Sequence, residues 1–167
     1  MKMFFLWSMS WKARKRRLVI LALLVMSCAG CSGSHLVVRE DRQMELCGCP
    51  PIPMCVSSSS FMPYNRVLPF VPAVPLERAW EETREAVKRL PRTFIVEERP
   101  GYLHAKCTSL VFRFVDNLEF LLDRDRGIIE VRSASSIALF DLGVNYFRVR
   151  SLRNDLADRG VLRETGQ

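Results

Sequence analysis

Acidic residues are missing from the first thirty positions of this 167-residue chain, which hold six basic ones: Lys2, Lys12, Arg14, Lys15, Arg16 and Arg17. That one-sided stretch accounts for the basic balance of the whole. The formal net charge is +7, but beyond residue 30 only 19 basic side chains face 18 acidic ones, a net of +1. So even a balance excludes nucleic acid as the expected partner, because phosphate backbones are held by clustered cations. An apolar run able to cross a membrane is missing too: Leu18–Met26 is nine residues long, and a hydrocarbon core needs roughly 20. The chain has no internal repeat, and its length suits one ordinary domain rather than two.

What the first thirty residues contain is a layout. The basic cluster precedes the nine apolar residues, and Ser27-Cys28-Ala29-Gly30-Cys31 follows. This is the order of a secretory signal. Its ending resembles the lipobox of bacterial lipoproteins, with Ala29 and Gly30 ahead of Cys31, although Cys28 stands where that pattern prefers leucine. The resemblance implies a diacylglycerol attached through the Cys31 sulfur and cleavage before it. An acylated Cys31 would hold the mature chain on a membrane face. Ser32 fits onward sorting to the outer membrane if the cell is Gram-negative. The expected localisation is therefore the bacterial envelope, facing the periplasm. The alternatives are an uncleaved N-terminal anchor and a start at Met9, which would leave a shorter basic leader.

Seven of the nine prolines fall between Pro50 and Pro75, beside Ser57-Ser58-Ser59-Ser60. Proline removes donors and fixes φ, so residues 31–75 read as a Pro/Ser-rich tether, or as an arm lying on the domain. Export implies an oxidising compartment, in which Cys47, Cys49, Cys55 and Cys107 allow three pairings. Cys47-Gly48-Cys49 is too tight for a comfortable mutual bridge, which makes a link from the arm to Cys107 attractive. A metal site from Cys47, Cys49, Cys55 and a histidine is the alternative. No pair of Cys-x-x-Cys motifs supports it, so neither metal nor cofactor is expected.

Order begins at Leu76. Leu76, Ala79, Trp80, Thr83, Val87 and Leu90 recur at helical spacing, with Pro75 at the start and Pro91 as the stop. Thr93–Glu98 and Tyr102–Ser109 read as strands around a Pro100-Gly101 turn. Asn117–Ser133 reads as a hairpin. Its apolar rows share a face if Leu122 pairs with Ile129 and Phe120 with Val131, which sets Glu119 opposite Arg132 on the other face and leaves Arg124–Gly127 as the loop. A last helix over residues 145–159, with Val149, Leu152 and Leu156 as its stripe, closes at Gly160. The expected fold is α+β over residues 76–160: an antiparallel meander of about four strands flanked by two helices, followed by a tail over 161–167.

Six motifs in order carry a family resemblance: Cys55-Val56-Ser57-Ser58, Leu90-Pro91-Arg92-Thr93, Tyr102-Leu103-His104-Ala105, Phe114-Val115-Asp116-Asn117-Leu118-Glu119-Phe120, Val131-Arg132-Ser133-Ala134-Ser135 and Asp141-Leu142-Gly143-Val144-Asn145. Over residues 50–158 the chain resembles the domain-of-unknown-function 1499 family of bacterial and plastid proteins. It departs from that pattern at Pro53-Met54 (Pro-Asn in the family), at Asn117 (a second Asp) and at Ser136-Ile137-Ala138 (Arg-Val-Gly). The resemblance implies a domain and no reaction.

The candidate site residues cluster around residues 131–145. For catalysis, His104, Asp116 and Ser133 or Ser135 would serve as base, orienter and nucleophile of a small envelope hydrolase. No nucleophile-elbow glycine pattern surrounds either serine. Asp116, Glu119 and Asp141 would be the source of any carboxylate pair. For binding, Arg132, Ser133, Ser135, Asp141 and Asn145 suit an anionic headgroup or a carboxylate. As a plain corner of the fold, Asp141 would close a turn, Asn145 would cap the last helix and the serines would satisfy strand ends. The expectation is a membrane-tethered binding or scaffold module, with an anionic small ligand or an envelope protein as partner; the alternative is a small envelope hydrolase using His104 with Ser133 or Ser135.

Overall fold

A computed structural model describes residues 36–38, 44–110, 113–136 and 142–164. All lie in the unit Ser32–Gln167. The expected signal peptide, with Cys31, and Asp141 fall outside the described residues.

Helix α1, Leu76–Arg89, buries Ala79, Trp80, Thr83, Ala86 and Val87. It stops where Leu90 turns extended ahead of Pro91. Four strands follow, β4 (Thr93–Arg99), β5 (Tyr102–Thr108), β6 (Val115–Asp123) and β7 (Ile128–Ser135), and the last element among the described residues is α2, Val144–Asp158. Three short strands come earlier: β1 (Leu36–Val38), β2 (Met44–Leu46) and β3 (Cys55–Ser57). The main sheet is antiparallel in the order β3-β7-β6-β5-β4, so the α+β class is as expected. Leu122 pairs with Ile129, Phe120 with Val131 and Glu119 with Arg132, the register that alternation dictates.

The sheet has five strands rather than about four, because β3 comes from the Pro/Ser-rich segment. That segment packs on the domain: Val67 and Phe70 sit in the core, and Phe70 exchanges backbone hydrogen bonds with Ile129. The serine run extends the ladder. Ser58 Oγ accepts from Val131 N at 2.9 Å and lies 3.1 Å from Val131 O, so a side chain takes over where β3 ends. The core lies between the helices and one sheet face. Leu103, Ala105, Cys107, Leu118, Phe120, Ile129 and Val131 meet Trp80, Val87, Val149, Leu152 and Leu156 there. Residues 36–164 thus carry a closed core of their own.

The opposite face is polar and also buried. There β2 packs against β6 and β7, and Leu46 joins Tyr102 and Leu121 in a second apolar cluster. Beneath it Glu119 and Arg132, both 0% exposed, form an ion pair at 2.7 Å, and Tyr102 Oη donates to Glu119 at 2.8 Å. A buried pair persists only when its remaining acceptors are satisfied, and Tyr102 supplies that bond.

The disulfide joins Cys49 to Cys55, not the arm to Cys107. Sheet geometry gives the reason. Cys55 lies on β3 and faces away from the helices, whereas Cys107 lies three strands away on the helix-covered face. At ~4.8 Å per strand, that is far beyond the ~5.5 Å between Cα atoms that a disulfide spans. The bridge also uses two thiols of the alternative metal set.

Candidate functional site

The apolar rows of β6 and β7 end before the strands do. Past Leu118 and Val131, strand alternation turns Asp116, Ser133 and Ser135 toward the same helix-covered face, with Asp116 directly opposite Ser135. These three polar groups need partners there, and the first turns of α2 supply them. Asn145 and Arg148, three residues apart, share one side of the helix. Ser135 Oγ donates to Asp116 Oδ1 at 2.5 Å, and Arg148 Nη2 donates to Asp116 Oδ2 at 2.6 Å. Arg148 Nη1 reaches Asn145 Oδ1 at 2.7 Å and Ser133 Oγ at 3.0 Å. Ser133 Oγ donates to Asn145 Oδ1 at 2.6 Å. Asn145 Nδ2 closes the set on Met54 O at 3.2 Å and Ser135 Oγ at 3.3 Å. One network therefore ties β3's lead-in, the sheet and α2 together.

Gly143 is the N-cap of α2 at φ 79°. A Cβ there would be strained by that φ and would stand 3.2 Å from the Phe147 ring. The expected cap, Asn145, lies inside the helix instead, and its amide is used inward.

Beside the network lies a hollow of about 710 Å³, within the ~300–1,000 Å³ of small-molecule sites. Asp116, Ser135, Arg148 and Cys107 form its polar floor, and Leu90, Pro91, Leu110, Phe114, Leu142 and Val144 supply apolar walls. Arg92 is a second guanidinium in the lining. Burial pushes the Cys107 thiol up from its ordinary value, with the Arg148 charge opposing it, so the sulfur is a neutral thiol at neutral pH.

The walls are strained and wet. Leu142 and Leu110 are 77% and 71% exposed. Among the described residues the non-glycine positions at positive φ are Arg92, Arg113 and Leu142, at 55°, 54° and 51°. Two line the hollow and the third precedes Phe114, which does. A leucine in the left-handed region, exposed to water, is opposed by both backbone sterics and solvation. Such costs cluster at functional sites.

The structure divides the sequence candidates. Asp116, Ser133, Ser135 and Asn145 come together. Arg132 does not: it faces the other side of the sheet, against Glu119, because neighbours in a strand alternate. His104 is on that side as well, donating through Nε2 to Asn117 Oδ1 at 2.9 Å. The His104–serine constellation is therefore not assembled, and Glu119 is separated from Asp116 in the same way. Arg148 and Cys107 join the site without having been candidates. Arg148 was readable from its spacing to Asn145, whereas Cys107 carried no signal beyond its place in β5.

A family model described as "Protein of unknown function (DUF1499)" matches residues 45–156, about two thirds of the chain. No curated protein and no solved structure matches.

Proposed function

The chain belongs to the DUF1499 family, and from that premise we propose that it is a membrane-tethered envelope lipoprotein whose folded unit binds a small ligand in the hollow over Arg148 and Asp116. The observation that carries the reading is that hollow: an apolar enclosure with a few convergent polar groups at its floor, the usual form of a ligand site. It favours a small molecule over a flat protein partner. The tether rests on the basic and apolar leader and on Cys31.

Two measurements test this. Full-length protein expressed in a bacterial envelope should incorporate labelled palmitate, and Cys31→Ser should not; equal label in both would remove the tether. Native mass spectrometry of the gently purified protein should show a bound mass besides the chain and its acyl groups. Substituting Asp116 by Asn should lower its occupancy. A bare chain at every release energy would remove the binding reading.

A further inference from the structure

Three properties of the hollow bear on what it accepts. First, its polar floor is not saturated. Arg148 offers five N–H donors, and the network uses three of them: two on Nη1 and one on Nη2. Nε–H and the second Nη2–H have no partner among the described residues, on a side chain that is 11% exposed and lines the hollow. Second, the charges do not cancel: the described lining carries Arg92 and Arg148 against Asp116 alone. Third, the apolar walls continue outward as Leu110, Leu142 and Val144, all exposed, with Leu142 held there against its backbone preference. An anion suits the floor and a hydrocarbon suits the walls and rim.

We propose that the hollow takes a single-chain amphiphile with an anionic head, carboxylate or phosphate. Its head accepts the two uncommitted donors of Arg148, and its chain runs outward past Leu90 and Phe114 to Leu110, Leu142 and Val144. The inference rests on the binding-module reading and names its ligand class. Asp116 then has a positioning role: it holds the guanidinium in place and leaves one edge of it for the ligand. Because the head is deep and the rim apolar, affinity depends on both ends of the ligand.

Calorimetric titration of residues 32–167, which contain the whole core, tests both ends without altering the fold. Octanoate, decanoate and laurate should tighten by about fourfold for each methylene that reaches the walls. Laurate and dodecyl phosphate should each bind at least tenfold more tightly than 1-dodecanol, with dodecyltrimethylammonium weaker still. If only the carboxylate binds, the source is a free fatty acid; if only the phosphate binds, it is a phospholipid-type head. Either result supports the anionic class. Leu142→Asn, which suits the left-handed backbone, should fold normally and bind laurate about tenfold more weakly. Dodecanol or the ammonium binding as tightly as laurate would overturn the anionic head but leave the hollow a site. No binding by any probe, with a different mass bound in the native protein, would overturn the ligand class alone. No probe and no native mass would end both readings.

Discussion

Glu119→Leu should be the most damaging single change on the sheet face away from the helices. In the folded chain Glu119 accepts from Arg132 at 2.7 Å and from Tyr102 at 2.8 Å, with Glu119 and Arg132 fully buried and Tyr102 2% exposed. Removing the carboxylate leaves a guanidinium in a closed environment facing a leucine. Breaking a buried pair from one side costs about 3–5 kcal/mol. For a domain of this size that corresponds to a fall in Tm of roughly 10–15 °C. Adding Arg132→Met removes that buried charge, so the double variant should recover about 2 kcal/mol or more. It should still lie below the parent by about 1–3 kcal/mol, because Tyr102 Oη has lost its acceptor. A third change, Tyr102→Phe, should return the protein to near parental stability. Urea unfolding of residues 32–167 measures each step. A cost below 1 kcal/mol for Glu119→Leu, or a double variant less stable than the single, would refute the claim that this face is held by a closed, charge-balanced network.

Alkaline pH should destabilise the domain. Burial raises the Cys107 thiol, and burial with the Glu119 charge raises the Tyr102 phenol. Their contributions are complete below the ordinary values of 9.0 and 10.0, where the unfolded chain ionises, and are lost as pH rises toward the raised folded values. Unfolding free energy should fall above pH 9 by up to ~1.4 kcal/mol per pH unit and group. Cys107→Ser should abolish the earlier part of that fall, and an unchanged profile would contradict the assignment. Reducing the Cys49–Cys55 bridge, which spans six positions, should cost about 2 kcal/mol, read as a shift in urea midpoint. No shift would mean that β3 and its lead-in do not depend on it. Leu142→Asn should raise stability by about 1 kcal/mol by relieving its backbone. A loss instead would show that the leucine is held for packing.

The sheet was legible where two signals agreed. In the hairpin, apolar alternation and the Glu119–Arg132 pair select one register, and any one-residue slip would turn Phe120 and Val131 outward. The same register separates Arg132 from Ser133, since successive strand residues face opposite sides, so grouping them as one binding set conflicts with it. Arg148 was harder to read. On a helix judged by Val149, Leu152 and Leu156, an arginine one place earlier resembles a solvated position, and only its spacing from Asn145 places it inward. The Pro/Ser-rich segment was readable as an arm lying on the domain, but not as part of its sheet. Its prolines exclude long regular elements, but they do not prevent Val67 and Phe70 from entering a core or Ser58 from standing in for a strand. Burial of the second sheet face depends on β2, three residues long, which no periodicity can announce.

Ligand binding over Arg148 is tested most directly by a two-dimensional NMR titration of residues 32–167 with laurate, followed at the side-chain Nε–H of Arg148. That signal should shift strongly and saturably, with accompanying shifts at the amides of Leu110, Leu142 and Val144 and none at Tyr102 or His104. Shifts confined to the Tyr102–His104 face, or an Arg148 signal that does not move while laurate binds, would contradict it.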